Sequence, residues 1–363
     1  MKLRGSGINE NAPSQHSMTK KSRKRILRIV LFIGTITSLF FVPWILVWAW
    51  ILPLPNTVQE QVNETINHGI DGMIVYVDQA GKPPEYYAAG WNDRKNKVPA
   101  DPHSLFKIGS ITKLYVAVAT SRLVHENRLS LDKSLADYFP ELVGRIEYAD
   151  KITLRMMVQH RSGIPNFTDY PNYWMNPPES PKEKLELALD LPASFAPDEG
   201  YEYSNTNYLL ISDLIDKVVG YSHQQYIKEE ILIPLELNNT FGSLNEVNLG
   251  DLMSGYYVGI EEDIKTDYSG LMIATAQDVG TFLRALNDGS VFKEGEQEIY
   301  SSIYVYEHGG LLPGYQSLAK YHKDMDMVVV QFMNTTDFNG YNWNLSQIVY
   351  NRIVKILRRG KSE

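Results

Sequence analysis

From Ile29 to Leu52 the chain runs through 24 residues without a charge. At a rise of about 1.5 Å per residue, a helix of that length crosses a hydrocarbon layer of roughly 30 Å. The run also lacks the polar face that a helix on the surface of a soluble domain presents to water. A single transmembrane helix over 29–52 is therefore expected. Trp44, Trp48 and Trp50 cluster towards its far end, where amphipathic rings favour the membrane interface, and Pro43 is a point of kinking.

Charge is segregated around that run. Residues 1–28 hold eight basic groups, Lys2, Arg4, Lys20, Lys21, Arg23, Lys24, Arg25 and Arg28, against Glu10 alone. Such a tail is expected to stay cytoplasmic, which puts residues 53–363 outside. A cleaved signal peptide is the competing reading. The apolar stretch, however, exceeds the usual ~7–15 residues of such a segment, and no Ala-x-Ala-like site follows it. The whole chain carries −8, so the part beyond the basic tail is strongly acidic and no nucleic-acid partner is expected. The absence of cysteine removes disulfide scaffolds, thiol nucleophiles and cysteine-ligated metals.

Pro53-Leu54-Pro55-Asn56 should end the apolar helix, leaving 53–66 as a linker and 67–363 as one folded domain. Gly72–Asp78 and Tyr86–Gly90 form two β-runs around a glycine turn, a starting hairpin. Apolar spacing then predicts helices over 114–124, 185–191 and 207–219, strands at 303–306 and 327–333, and a closing amphipathic helix over 345–357. The assembly this suggests is an α/β (α+β) fold: an antiparallel sheet built from both chain ends, flanked by helices, with a helical subdomain inserted between.

Motifs for phosphate loops, dinucleotide folds, zinc helices and nucleophile elbows are missing. Ser-x-x-Lys occurs six times, starting at Ser17, Ser104, Ser110, Ser130, Ser290 and Ser317. Of these, Ser110 alone opens an apolar helical run. There the serine has helix N–H groups nearby, and Lys113, three residues on, projects from the same face. Set in an apolar segment, Lys113 is expected to be buried, and desolvation makes a neutral amine accessible that can activate the hydroxyl. The plain alternative is that Ser110 caps the helix and Lys113 snorkels to water. Further on, Tyr203-Ser-Asn205 stands at the mouth of a helix, where a phenol can shuttle a proton. His308-Gly309-Gly310 follows a β-run, and glycine there permits close approach of a substrate backbone.

The order Ser-x-x-Lys, Tyr-x-Asn, His-x-Gly resembles the serine beta-lactamase-related family. That family includes class C beta-lactamases, D-alanyl-D-alanine carboxypeptidases, penicillin-binding proteins, D-aminopeptidases and related esterases. The likeness covers roughly 69–357 and includes 105–113, 154–165, 203–205, 270–278 and 308–315. It implies a beta-lactamase/transpeptidase-like fold and acyl transfer to water through a serine ester, with no cofactor and no metal. It also implies roles: Ser110 as nucleophile, Lys113 as its proton acceptor, Tyr203 as base and then acid to the leaving group. Asn205, His308 and Gly310 would contact substrate, and the N–H groups of Ser110 and Leu311 would form the oxyanion hole.

Rival and departing features shape the expectation. Tyr170-Pro-Asn172 also spells Tyr-x-Asn but reads as an exposed loop, while His160 and Ser162 read as a structural turn after a helix. His308 stands where beta-lactamases of the family usually carry lysine, so a permanent cation gives way to a group of reference pKa about 6.5. Carboxylate recognition should weaken, favouring a peptidase, esterase or slow penicillin-binding protein. Only 17 residues separate Ser290 from His308, where members of the family commonly place a helix and an extra strand, and such a shortening would either open the cleft or leave an edge strand exposed. The expected protein is an extracytoplasmic, single-pass membrane-anchored hydrolase of a small-molecule or peptidoglycan-related peptide substrate. The alternative is a wall- or penicillin-binding protein that keeps the cleft without turnover.

Overall fold

A computed structural model describes residues 20–267 and 271–360 of the chain. Residues 1–19, with Ser17 and part of the basic tail, and Gly270 of the 270–278 stretch lie outside the described residues.

The uncharged run is not one helix. α1 (Lys20–Leu39) and α2 (Trp44–Ile51) meet at 78°, and among the described residues no single helix is long and apolar enough to cross a membrane. The break has a local cause. Pro43 has no N–H to give and disfavours helical backbone at Val42 before it. The chain tightens into a turn at 40–42, and the Trp44 indole N–H donates to the Leu39 carbonyl at 2.9 Å. The bent pair together has the length and composition of a span.

The expected linker is also structured. Thr57 and Glu60 form a reciprocal capping box that starts α3 (Val58–Ile66), whose Val58, Val62 and Thr65 are buried. Arg352 ties this entry segment to the domain, donating to the carbonyls of Leu52 and Pro53 and to Gln61 Oε1.

β1 (Gly72–Gln79) and β2 (Glu85–Asp93) form the starting hairpin, with β3 (Val98–Pro99) beside it. An insertion follows, containing α4 (Thr112–His125), α5 (Asn205–Val219), α6 (Ala276–Asp288) and α7 (Glu296–Ile303). β4 (His308–Leu312), β5 (Tyr315–His322) and β6 (Met327–Met333) then return to the sheet, and α8 (Asn342–Arg359) closes the domain. The sheet order is β3-β2-β1-β6-β5-β4, antiparallel throughout, with β1 on β6 in register Met73 to Met333. Both chain ends thus meet at its centre.

Strand alternation divides the core. Ile74, Tyr76, Val328, Val330 and Phe332 face the insertion, where α4 and α6 pack. Met73, Val75, Val77, Val329 and Met333 face α3 and α8. Residues 303–306 are not a strand: α7 runs through Ile303, and the Tyr300 hydroxyl donates to the Val305 carbonyl just past its end. The helix expected at 185–191 is the shorter Pro181–Glu186. β4 is one of the sheet's two edge strands, the short β3 being the other.

Candidate active site

The site forms where edge strand β4 meets the N-terminus of α4. Phe106–Lys107 pairs antiparallel with Ile273–Ala274, which holds the approach to the turn Gly109–Ile111. Gly109 sits at φ +57°, a left-handed conformation that favours glycine, and throws Ser110 out at the head of α4. The Ser110 N–H belongs to a first helical turn, whose donors have no intrahelical partner.

Lys113 follows on the same face and is 5 % exposed. Its Nζ lies 3.2 Å from Ser110 Oγ and donates to Asn205 Oδ1 at 2.8 Å. Tyr203 reaches Ser110 Oγ from the other side at 2.7 Å. Lys113 therefore sits among neutral groups, and no carboxylate forms an ion pair with it among the described residues. Asn205 is itself held: its N–H and Nδ2 donate to Asn166 Oδ1, and Nδ2 also to Thr168 Oγ1.

β4 approaches the turn so closely that only glycine fits. A Cβ on Gly310 would lie 2.2 Å from the Ile108 carbonyl oxygen, and one on Gly109 would lie 3.2 Å from Leu311 N. Ser317 Oγ on β5 donates to the same Ile108 carbonyl at 2.9 Å, locking strand to turn. Leu312 pairs with Tyr315 next to the hairpin turn and Leu311 with Gln316. Antiparallel alternation then leaves the Leu311 N–H pointing off the sheet edge, beside Ser110. Two backbone N–H groups, those of Ser110 and Leu311, thus stand at the junction of turn and strand.

Two histidines flank Tyr203. The His160 ring packs against its ring, tilted by 31° at 4.5 Å between centroids, and His308 lies at 6.2 Å. Burial first, then the nearby Lys113 charge, pushes His308 down to about 4 and His160 to about 3; His308 adds a further lowering at His160. Both rings are neutral at pH 7. His308 Nδ1 lies 2.5 Å from the Gly309 carbonyl, so it carries the ring proton and Nε2 is left as an acceptor. A ring in that state has no proton to offer a carboxylate.

This arrangement can run acyl transfer: an amine and a phenol both in contact with one hydroxyl, beside a pair of backbone donors. The beta-lactamase family model matches residues 54–347. The chain belongs to the beta-lactamase family. The expected affiliation with the serine hydrolases stands with it, and so does the expected fold class of an antiparallel sheet flanked by helices. Protein flp of Staphylococcus aureus (strain MW2) is 28 % identical over 195 residues, 52 % of this chain. The chain spans about two fifths, 39 %, of that protein's length. Among solved structures, D-amino acid amidase from Ochrobactrum anthropi SV3 superposes with a TM-score of 0.75 at 20 % identity, covering 84 % of this chain and 99 % of that one. The penicillin binding protein from Bacillus halodurans gives 0.67 at 19 %, covering 78 % and 96 %. At these identities the structures speak for the fold alone.

In this beta-lactamase-family chain the seven residues singled out from sequence lie together: Lys113 and Tyr203 contact Ser110, Asn205 contacts Lys113, His308 lies beside Tyr203, and the Gly310–Leu311 backbone packs on the Gly109 turn. Tyr170 is exposed and apart from these contacts. Sequence reading missed Asn166 and Thr168, which hold Asn205, and the contact of His160 with Tyr203. A signal was present: Asn166 follows Pro165 and caps the turn Phe167–Asp169.

Proposed function

We propose that this chain is a serine hydrolase that is acylated at Ser110 and deacylated by water. The observation that carries this reading is the double contact on Ser110 Oγ, from Lys113 Nζ and Tyr203 OH. Either neighbour, in its deprotonated form, takes the hydroxyl proton as Oγ bonds to the acyl carbon. The negative oxygen then lies between the N–H groups of Ser110 and Leu311, a device worth about 10²–10³ in rate. Collapse breaks the bond from the acyl carbon to nitrogen or oxygen, and Tyr203 returns the proton to the leaving atom. In the second half-reaction water replaces the leaving group, gives its proton to the same pair, and releases the acid and Ser110.

The proposed substrate is an amide or ester of the D-amino-acid, wall-peptide or beta-lactam type. The amide option is suggested by the D-amino acid amidase whose fold this chain shares; the contacts on Ser110 Oγ suit an ester equally well. The neutral His308, with its proton committed to Gly309, argues against strong recognition of a terminal carboxylate. The domain is proposed to work outside the cytoplasm, anchored through the bent pair α1–α2, with the basic residues Lys20–Arg28 on the cytoplasmic side.

The test is a hydrolysis panel on the full chain with a D-Ala-D-Ala peptide, its amide-capped form, nitrocefin and a short-chain ester. Turnover that disappears in Ser110→Ala and Lys113→Ala is expected. Full activity in Lys113→Ala contradicts the proton path.

A further inference from the structure

α1 and α2 differ in what they touch. α1 has no buried residue, whereas α2 is built into the domain. Ala49 is 3 % exposed and belongs to the core cluster of Val58, Met73 and Val349, with Leu46 and Leu54 packed against the same cluster. The end of α2 is fastened as well. Arg352, buried on α8, donates to the Leu52 carbonyl at 2.7 Å and to the Pro53 carbonyl at 2.8 Å. A guanidinium at the C-terminal carbonyls of a helix pairs charge with dipole favourably, and moving α2 off the domain would leave those buried bonds unmade.

The other face of α2 is open and apolar. Trp44 with Trp48, and Val47 with Ile51, are pairs four residues apart, and the helical period puts all four on the side away from Ala49. Trp50 on their flank is 73 % exposed, and Phe40 and Phe41 in the preceding turn are exposed too. The chain's own continuation decides what covers this face. It adjoins α1, whose residues from Ile26 to Leu39 are exposed throughout and carry one charge, Arg28, after a start rich in lysine and arginine. Indoles on a short apolar face, next to an apolar helix with a basic end, match a lipid surface: hydrocarbon for α1, the headgroup boundary for the tryptophans. Length agrees. With α2 held by the domain, crossing falls to α1, whose stretch from Ile26 to Leu39 rises about 21 Å against roughly 30 Å of hydrocarbon. A short span thins the bilayer around it and draws its flanks against the headgroups, and the bend of 78° turns the following flank, α2, towards the membrane plane.

We propose that α2 belongs to the folded domain and not to the span, and that its outer face lies in the lipid headgroup boundary, seating the domain directly on the membrane. The proposal rests on the anchoring reading above and narrows it: α1 inserts and α2 lies flat. It also sets where the site faces. α2 packs into the cluster of α3 and α8 on one face of the sheet, while Ile111 and Leu114, beside Ser110 at the head of α4, pack on the other. Ser110 is thereby on the far side of the sheet from the lipid, which suits a soluble or wall-borne substrate rather than one dissolved in the bilayer.

The chain has no cysteine, so a single introduced one carries a pyrene label at a known place. The full chain bearing Val47→Cys, Ile51→Cys or Val305→Cys is reconstituted in vesicles of phosphatidylglycerol and phosphatidylethanolamine. Quenching by lipids spin-labelled at shallow and deep acyl positions then gives the depth of each label. Val47 and Ile51 differ in depth by about 6 Å where α2 stands upright as part of the span, and by about 1 Å where it lies at 78° to an upright α1. Shallow depths within about 3 Å of each other are expected. Val305, exposed in the lining of the cavity of about 360 Å³ beside Tyr203, should escape lipid quenching. A larger difference, both labels near the bilayer centre, or quenching at Val305 as strong as at Val47 overturns the proposal and leaves membrane anchoring standing. Val47 and Ile51 labels that no lipid quenches but that form excimers between chains assign the face to a second copy and overturn it as well. A chain that stays off the vesicles condemns the anchoring reading together with this one, and acylation of Ser110 is untouched by any of these results.

Discussion

Gly310→Ala puts a single methyl into the tightest contact of the site. Its carbon would stand 2.2 Å from the Ile108 carbonyl oxygen and 2.5 Å from Ser317 Oγ. Relief requires the edge strand to retreat from the Gly109–Ile111 turn by roughly 1 Å, since packed interiors yield little. The displaced atoms include Leu311 N, one of the two donors proposed for the developing oxyanion. A misplacement of about 1 Å in such a position costs on the order of 10²-fold in rate, and complete loss of one donor about 10²–10³. The expected result is a fall of about two decades in kcat on the short-chain ester, with KM moving much less. β4 is an edge strand, so the sheet behind it should keep its thermal transition nearly in place. Steady-state kinetics and a circular-dichroism melt measure both. A variant folded like wild type with kcat within threefold would refute the oxyanion-hole geometry.

Tyr203→Phe keeps the ring packed against His160 and deletes the hydroxyl at 2.7 Å from Ser110; kcat/KM should drop by about 10²–10⁴ without loss of thermal stability. Asn205→Ala removes the acceptor of Lys113 Nζ and should cost about 1–3 kcal/mol in denaturant unfolding together with at least a tenfold loss of activity. His160 and His308 titrate below their unfolded value of about 6.5, so the unfolded chain binds more protons between about pH 4 and 6.5 and stability must fall as pH falls through that window. Melting temperatures measured from pH 7 down to 4 should decline, and His308→Asn should flatten part of that decline. Arg122 and Glu296 form a buried pair at 3.0 Å that ties α7, a wall of the cavity, to α4; Arg122→Ala should destabilise by about 3–5 kcal/mol in urea titration.

Much of the site was legible because its chemistry is written locally. Ser110 and Lys113 are one helical turn apart, and Tyr203 and Asn205 flank a helix start, so short motifs carry their relation. The central strands were legible from alternation, which both faces of the sheet obey. Failures came where a distant partner overrides a local preference. Ile303-Tyr304-Val305-Tyr306 has β-type side chains, yet Tyr300 and Ile303 are buried one helical turn apart and extend α7 into it. The linker expected over 53–66 contains α3, whose start the sequence carries in the capping box Thr57-x-x-Glu60, with Val58 and Val62 on one face. The bend at Pro43 was legible as a kink, but its angle of 78° and the Trp44 bond to the Leu39 carbonyl beside it were not. The state of His308 lay beyond sequence, because burial, Lys113 and the Gly309 carbonyl set it together.

The central claim is that Ser110 becomes covalently acylated. Intact-mass spectrometry of the full chain, quenched in acid during turnover of the short-chain ester or after a fluorophosphonate, tests it most directly when followed by peptide mapping. One adduct per chain, mapped to the peptide bearing Ser110 and absent from Ser110→Ala, is the expected result. An unmodified chain under conditions of measurable turnover, or an adduct that persists in Ser110→Ala, would contradict it.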